Sequence, residues 1–196
     1  MMESINDRRI SGRAAPAEVD KGFTLVELMV TIAIAAILLM VAVPSFDDAL
    51  LNGKLTSQSN AVLSTLQLAR SEAIKRNARV TVCKSAQSTT PPSGTCTSSG
   101  GWNQGWIIFH DADGDGVLDA GETIVQRGGA LAPGFSLTGD ANLSDAISFV
   151  SSGGATQSGT LSLCRAQPTV GATGRTISIL GTGRPTIAKT TVTSCS

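Results

Sequence analysis

One stretch near the N-terminus constrains this 196-residue chain more than any other: residues 23–43 read FTLVELMVTIAIAAILLMVAV, 21 residues with a single ionisable group, Glu27. At about 1.5 Å per residue such a helix is roughly 30 Å long, which matches the hydrocarbon core of a bilayer. It is expected to span a membrane. Residues 1–22 carry four basic side chains (Arg8, Arg9, Arg13, Lys21), four acidic ones (Glu3, Asp7, Glu18, Asp20) and no apolar run, so they read as a hydrophilic leader. A secretory signal places its small-residue cleavage site after the apolar core. Here the small residue, Gly22, comes before it, so a cut after Gly22 leaves the apolar helix as the new N-terminus. Glu27 is then the fifth residue, one turn inside hydrocarbon, where a carboxylate costs about 2.5–3.5 kcal/mol and calls for a cationic partner. The α-amine freed by the cut can serve, in the same chain or in a neighbouring one.

The run Gly22-Phe23-Thr24-Leu25-Val26-Glu27-Leu28 resembles the processing motif of type IV pilins and type II secretion pseudopilins. That resemblance implies that a prepilin peptidase cleaves after Gly22 and N-methylates Phe23, and that Glu27 guides subunit docking. Pro44 follows the span, where such pilins carry a helix-kinking proline. The segment Leu68-Ala69-Arg70-Ser71-Glu72-Ala73-Ile74-Lys75-Arg76-Asn77, followed by Val80-Thr81-Val82-Cys83, resembles a narrower group, the H-type pseudopilins and the T- and U-type fimbrial minor pilins. With the region of Trp102 and Trp106, the likeness covers most of residues 22–196. It implies an α+β, type IV pilin-like fold: a long N-terminal transmembrane helix packed on an antiparallel β-sheet head.

The residues past the span agree with that organisation. Leu55, Val62, Leu66, Ala69 and Ala73 recur at spacings of seven, four, three and four, one stripe along a helix over residues 44–79. Arg70, Lys75, Arg76 and Arg79 fall outside the stripe and are expected to stay solvated. Gly53 and the Ser/Asn-rich residues 52–60 weaken helix propensity, so the helix is expected to bend or loosen there. From residue 80 to 196 the pattern turns to short β-rich runs broken by Gly, Ser, Thr and Pro: residues 80–83, 106–110, 123–126, 147–150, 160–164, 175–180 and 185–189.

Cys83, Cys96, Cys164 and Cys195 all follow the span, and an oxidising compartment would pair them. Three pairings are possible and spacing alone does not choose. The expected one joins Cys83 to Cys96, closing the Pro/Ser/Thr-rich loop 85–95, and Cys164 to Cys195, pinning the chain end. No C-x-x-C spacing supports thiol-bound metal.

Asp111, Asp113, Asp115, Val117, Asp119 and Glu122 occupy positions one, three, five, seven, nine and twelve of an EF-hand calcium loop, with Gly116 at position six. The flanks read as strands where an EF-hand has helices, and Asp and Gly are also ordinary turn formers. Both readings stay open: a calcium site on a hairpin tip, or a turn without metal. No cofactor is otherwise required.

The net charge of zero, from 15 Lys+Arg against 15 Asp+Glu, argues against a polyanion held by bulk charge. It conceals a dipole, because residues 103–145 hold seven acids and only Arg127, whereas residues 146–196 hold Arg165, Arg175, Arg184 and Lys189 with no acid. Some T-type relatives bind DNA through a Gly-Arg-x-Arg loop; Gly183-Arg184-Pro185-Thr186 keeps only the first Arg. Weak, salt-sensitive DNA contact by Arg175, Arg184 and Lys189 is the alternative to cations that merely keep a sheet soluble. His110 is the only histidine and ends a strand pattern; with no nucleophile elbow, P-loop or zinc helix, no catalytic residue is expected. The chain is expected to be a minor pilin or pseudopilin of the inner membrane with a periplasmic head. Its expected partners are other pilins, prepilin peptidase and the membrane, with DNA uptake as the rival function.

Overall fold

The computed structural model describes residues 22–86, 94–166, 173–192 and 194–195. The leader reading, save Gly22, and the middle of the 85–95 loop lie outside the described residues. The chain divides into two compact units, Met1–Pro44 and Ser45–Ser196.

Helix α1 (Leu25–Arg76) is continuous over 52 residues. The expected loosening at residues 52–60 is absent, and the polar side chains there bond back onto the preceding turn. Asn52 Nδ2 donates to Asp48 O (3.0 Å), Thr56 Oγ1 to Asn52 O (3.0 Å) and Ser59 Oγ to Thr56 O (2.8 Å). Leu55, fully buried, anchors the same turn. The helix stops at Arg76, three residues before its expected end at residue 79, since Asn77 adopts a left-handed conformation (φ 51°). The N–H of Ala78 then returns to Ala73 O and that of Asn77 to Ile74 O, both at 3.2 Å, a Schellman closure that satisfies the last carbonyls.

Among the described residues eight strands follow: β1 (Val80–Lys84), β2 (Trp106–His110), β3 (Ile124–Gly128), β4 (Phe135–Gly139), β5 (Ala146–Phe149), β6 (Gly159–Arg165), β7 (Thr173–Ile179) and β8 (Pro185–Thr191). β4 was not among the expected strands. They form two antiparallel four-stranded sheets, ordered β3-β2-β1-β5 and β4-β6-β7-β8, where the sequence suggested one. A 3-10 turn at Trp102–Gln104 precedes β2. Trp102 Nε1 donates to Leu143 O (2.9 Å), and Trp106 sits opposite Gly128 in the β2–β3 register, its indole filling the space a Cβ there would need.

The helix stripe is the centre of the core. Leu55, Val62, Leu66, Ala69 and Ala73 are all buried, and they share one apolar cluster with Val80, Val82, Ile108, Ile147 and Phe149 of the first sheet and Leu137, Leu161, Leu163 and Ile177 of the second. Each large side chain so buried contributes roughly 1.5–3 kcal/mol. The first sheet is covered on its other face as well. Cys83, Ile107 and Phe109 form a second buried cluster there, against which Cys96, Leu118, Ile124 and Ala146 pack. Cys96 and the β2–β3 hairpin thus close over the outer side of the sheet.

Candidate functional site

The start of α1 places three of the residues singled out in the sequence side by side. Thr24 caps the helix: the Glu27 N–H donates to its Oγ1 (3.2 Å), while Glu27 Oε2 accepts from the Thr24 N–H (2.9 Å) and hydroxyl (3.0 Å). Thr24-Leu25-Val26-Glu27 is therefore a reciprocal capping box, a signal the sequence carried and the charge argument passed over. The carboxylate expected to need a cation is already held by two donors of its own chain. Gly22, Phe23, Thr24 and Glu27 line a small surface recess of 290 Å³, and Phe23 is 87% exposed.

Beyond the cap the helix surface is apolar all round. Leu25, Val26, Leu28, Met29, Val30, Ile32, Ile34, Ile37, Leu38, Leu39 and Met40 are each more than half exposed. The one hydroxyl among them, that of Thr31, donates to Leu28 O (2.9 Å). A helix apolar on every side is ordinarily buried, in a protein core or in a membrane. Counted on the described side chains alone, no helix is long and apolar enough to cross a membrane. In the full sequence the run continues through residue 43 to 21 residues.

The four cysteines form two disulfides, Cys83–Cys96 with Cα atoms 5.5 Å apart and Cys164–Cys195 at 5.8 Å. The first ties Cys96 to strand β1. The second fastens the chain end to β6.

The β2–β3 hairpin gathers part of the proposed ligand set. Asp111, Asp113 and Asp115 bring carboxylate oxygens within 4.8 Å of one another. Asp111 is buried: its Oδ2 accepts from the Thr81 hydroxyl (2.6 Å), itself 2.7 Å from Ser148 Oγ, and its Oδ1 from the Gly114 N–H (2.7 Å). Glu122 turns instead to the loop backbone, accepting from the N–H groups of Ala112 (2.7 Å) and Asp119 (3.0 Å). Val117 is half exposed, and its N–H donates to Asp115 Oδ1 (2.7 Å). The charge of Asp115 first, then desolvation, then Asp113, Glu122 and Asp111, holds the carboxyl of Asp119 above the ordinary aspartate range. Gly116, at position six, has φ 80°, which favours glycine.

Two arginines expected to be solvated are instead partly buried. Arg79 Nη1 donates to Gly114 O (2.6 Å), clipping the acidic hairpin to the end of α1, and Arg70 Nε donates to Gly153 O (2.8 Å). Lys75 and Arg76 remain exposed and pair with Glu72 at 3.4 and 2.7 Å.

The cations proposed for DNA do not share one exposed surface. Arg184 and Lys189 are exposed, but Arg175 is 6% exposed and lies against α1, because its position on β7 faces the helix. Arg165 stacks over the Phe135 ring at 4.8 Å. His110 ends β2, its N–H donating to Thr123 O (2.9 Å).

Residues 58–183 match the family described as type II transport protein GspH, and residues 19–43 match the prokaryotic N-terminal methylation motif. No curated protein matches the chain. Among solved structures, the type IV minor pilin FimU of Pseudomonas aeruginosa resembles it in one crystal form at 20% identity over 74% of this chain and 97% of that one, TM-score 0.54. A second crystal form of FimU gives 20% identity over 72% and 100%, TM-score 0.50. The minor pseudopilin EpsH from the Type 2 Secretion System of Vibrio cholerae is 14% identical over 70% of this chain and 97% of that one, TM-score 0.45. The likeness to FimU is one of fold.

Proposed function

The chain belongs to the type II transport protein GspH family and is a structural, non-enzymatic filament subunit of the minor pilin and pseudopilin type; from that premise we propose how it is processed and inserted. A prepilin peptidase cuts after Gly22 and methylates Phe23. Residues 23–43 hold the subunit in the inner membrane with the head in the periplasm until it joins a filament of other pilins. The observation that carries this reading is the cap at the start of α1. Glu27 is the one carboxylate in an otherwise apolar surface, and its own Thr24 supplies the donors that let it sit there. On assembly the carboxylate exchanges these donors for the terminal amine of a neighbouring subunit.

The test is to express the full chain with and without prepilin peptidase and map its N-terminus by mass spectrometry. Gly22→Ala is expected to keep the leader and block incorporation, and Glu27→Gln to be processed yet incorporated at least tenfold less. Normal incorporation of Glu27→Gln sinks the docking role.

A second reading concerns the hairpin, where the mutual approach of Asp111, Asp113 and Asp115 and the raised Asp119 mark concentrated negative charge. Calcium bound there would neutralise it, with Val117 O and Glu122 completing the set. A raised carboxyl pKa in the folded head destabilises it above the ordinary aspartate value, and the penalty is relieved as pH falls through the raised value. Asp119→Asn is therefore expected to raise the melting temperature in chelator and lower it in millimolar calcium. Identical melting of the unaltered chain in calcium and chelator removes the site.

A further inference from the structure

The second sheet carries two cations on its helix-facing side. On β7 the inward positions are Thr173, Arg175, Ile177 and Ile179, and opposite them on β8 stand Thr191, Lys189, Ile187 and Pro185. The row that begins with Leu137 and Leu163 therefore ends in Arg175 and Lys189. Like charges directly opposite on antiparallel strands repel, and a buried guanidinium is ordinarily matched by a carboxylate. Among the described residues none pairs with Arg175. Its Nη1 donates to Gly174 O (3.0 Å) and its Nη2 to Thr56 Oγ1 (3.1 Å), and residues 146–196 contain no acid at all.

Both cations border a groove of 630 Å³ between α1 and this sheet, completed by Asn52, Gly53, Thr56 and Thr173. The lining holds two positive charges, three hydrogen-bonding side chains and no negative one. At Gly53 the groove is open. Glycine inside a helix weakens it, yet a Cβ built at Gly53 meets nothing within 4 Å, so no contact of this chain requires the glycine.

We propose that this groove is an oxyanion site that takes one phosphate group between Arg175 and Lys189, with the second N–H of the Asn52 amide as a neutral donor. A phosphate brings about −1.5 to −2 charges at neutral pH and cancels both cations, where a carboxylate would leave one uncompensated. The chemistry is the same whether the phosphate is free or is the monoester headgroup of phosphatidic acid. The site does not depend on how the helix assembles.

The full chain in neutral detergent, titrated with inorganic phosphate against sodium chloride of equal ionic strength, is expected to gain roughly 2–5 °C in melting temperature from phosphate alone. Lys189→Gln, at an exposed position, is expected to fold, to melt slightly higher than the unaltered chain without phosphate, and to bind phosphate about tenfold more weakly. Arg175→Gln should abolish the shift. In nanodiscs of phosphatidylcholine the phosphate response should persist. Adding phosphatidic acid suppresses it if the headgroup is the occupant and leaves it unchanged if free phosphate is. Equal shifts in chloride and phosphate, or an unaltered phosphate response in Lys189→Gln, overturn the proposal.

Discussion

Asp140 shows how much a single side chain can organise in this head. Desolvation pushes its carboxyl upward, but the N–H groups of Thr160, Asn142 and Leu143 and the Thr160 hydroxyl outweigh that and hold it below the ordinary aspartate range. Those contacts, at 2.6, 3.0, 3.1 and 3.3 Å, pin the turn after β4 to the first residues of β6. Asp145 is lowered too, first by its hydrogen bond to the buried Lys84, 2.7 Å away. Groups lowered in the folded state stabilise it above their ordinary value, and that contribution is lost as pH falls through the folded values. The head should therefore weaken below about pH 4. Asp140→Ala is expected to cost about 1–3 kcal/mol at neutral pH and to flatten the acid limb of a stability profile measured by denaturant unfolding. An acid limb identical to that of the unaltered chain would remove Asp140 from the account.

Among the elements, α1 carries most of the information that could be read in advance. Its buried stripe was legible because residues at helical spacing stand among polar ones, and every member of it is buried. Leu66→Ala, in the middle of that stripe, is expected to cost about 2–5 kcal/mol through lost burial and the cavity left behind, read as a lower denaturation midpoint at unchanged slope. One strand was harder to find. β4 (Phe135–Gly139) has two inward residues, Phe135 and Leu137, between glycines, too short a period-two signal to separate from a loop. β1 is buried along its whole length although its sequence, Val-Thr-Val-Cys-Lys, alternates, so it gives no hint of a second covered face. Arg70 and Arg79 were misread for a related reason. Their partners are backbone carbonyls of Gly153 and Gly114, far along the chain, and a carbonyl acceptor leaves no mark in a pattern of side chains. The division into two sheets is likewise a matter of which strands pair, information that strand propensity does not hold.

In the molecule as a whole, long-range closure is shared between the core and two covalent ties. The Cys164–Cys195 link closes 31 residues and Cys83–Cys96 closes 13. On chain-entropy grounds they restrict the unfolded chain by about 4 and about 3 kcal/mol respectively. Cys164→Ala with Cys195→Ala should therefore lower stability more than the equivalent change at 83 and 96, as judged by thermal melts under oxidising conditions. The reverse order would show that covering the outer face of the first sheet matters more than fastening the chain end. Trp102 and Trp106 are the chain's two tryptophans, 2% and 6% exposed, and both stand at the join between β2 and the 3-10 turn. Since α1 contributes no indole, intrinsic fluorescence excited at the red edge of protein absorption reports on this one corner alone. Emission should shift to longer wavelength when the head opens and stay unmoved while the helix enters or leaves lipid, giving an optical readout of head folding in intact vesicles without any attached dye.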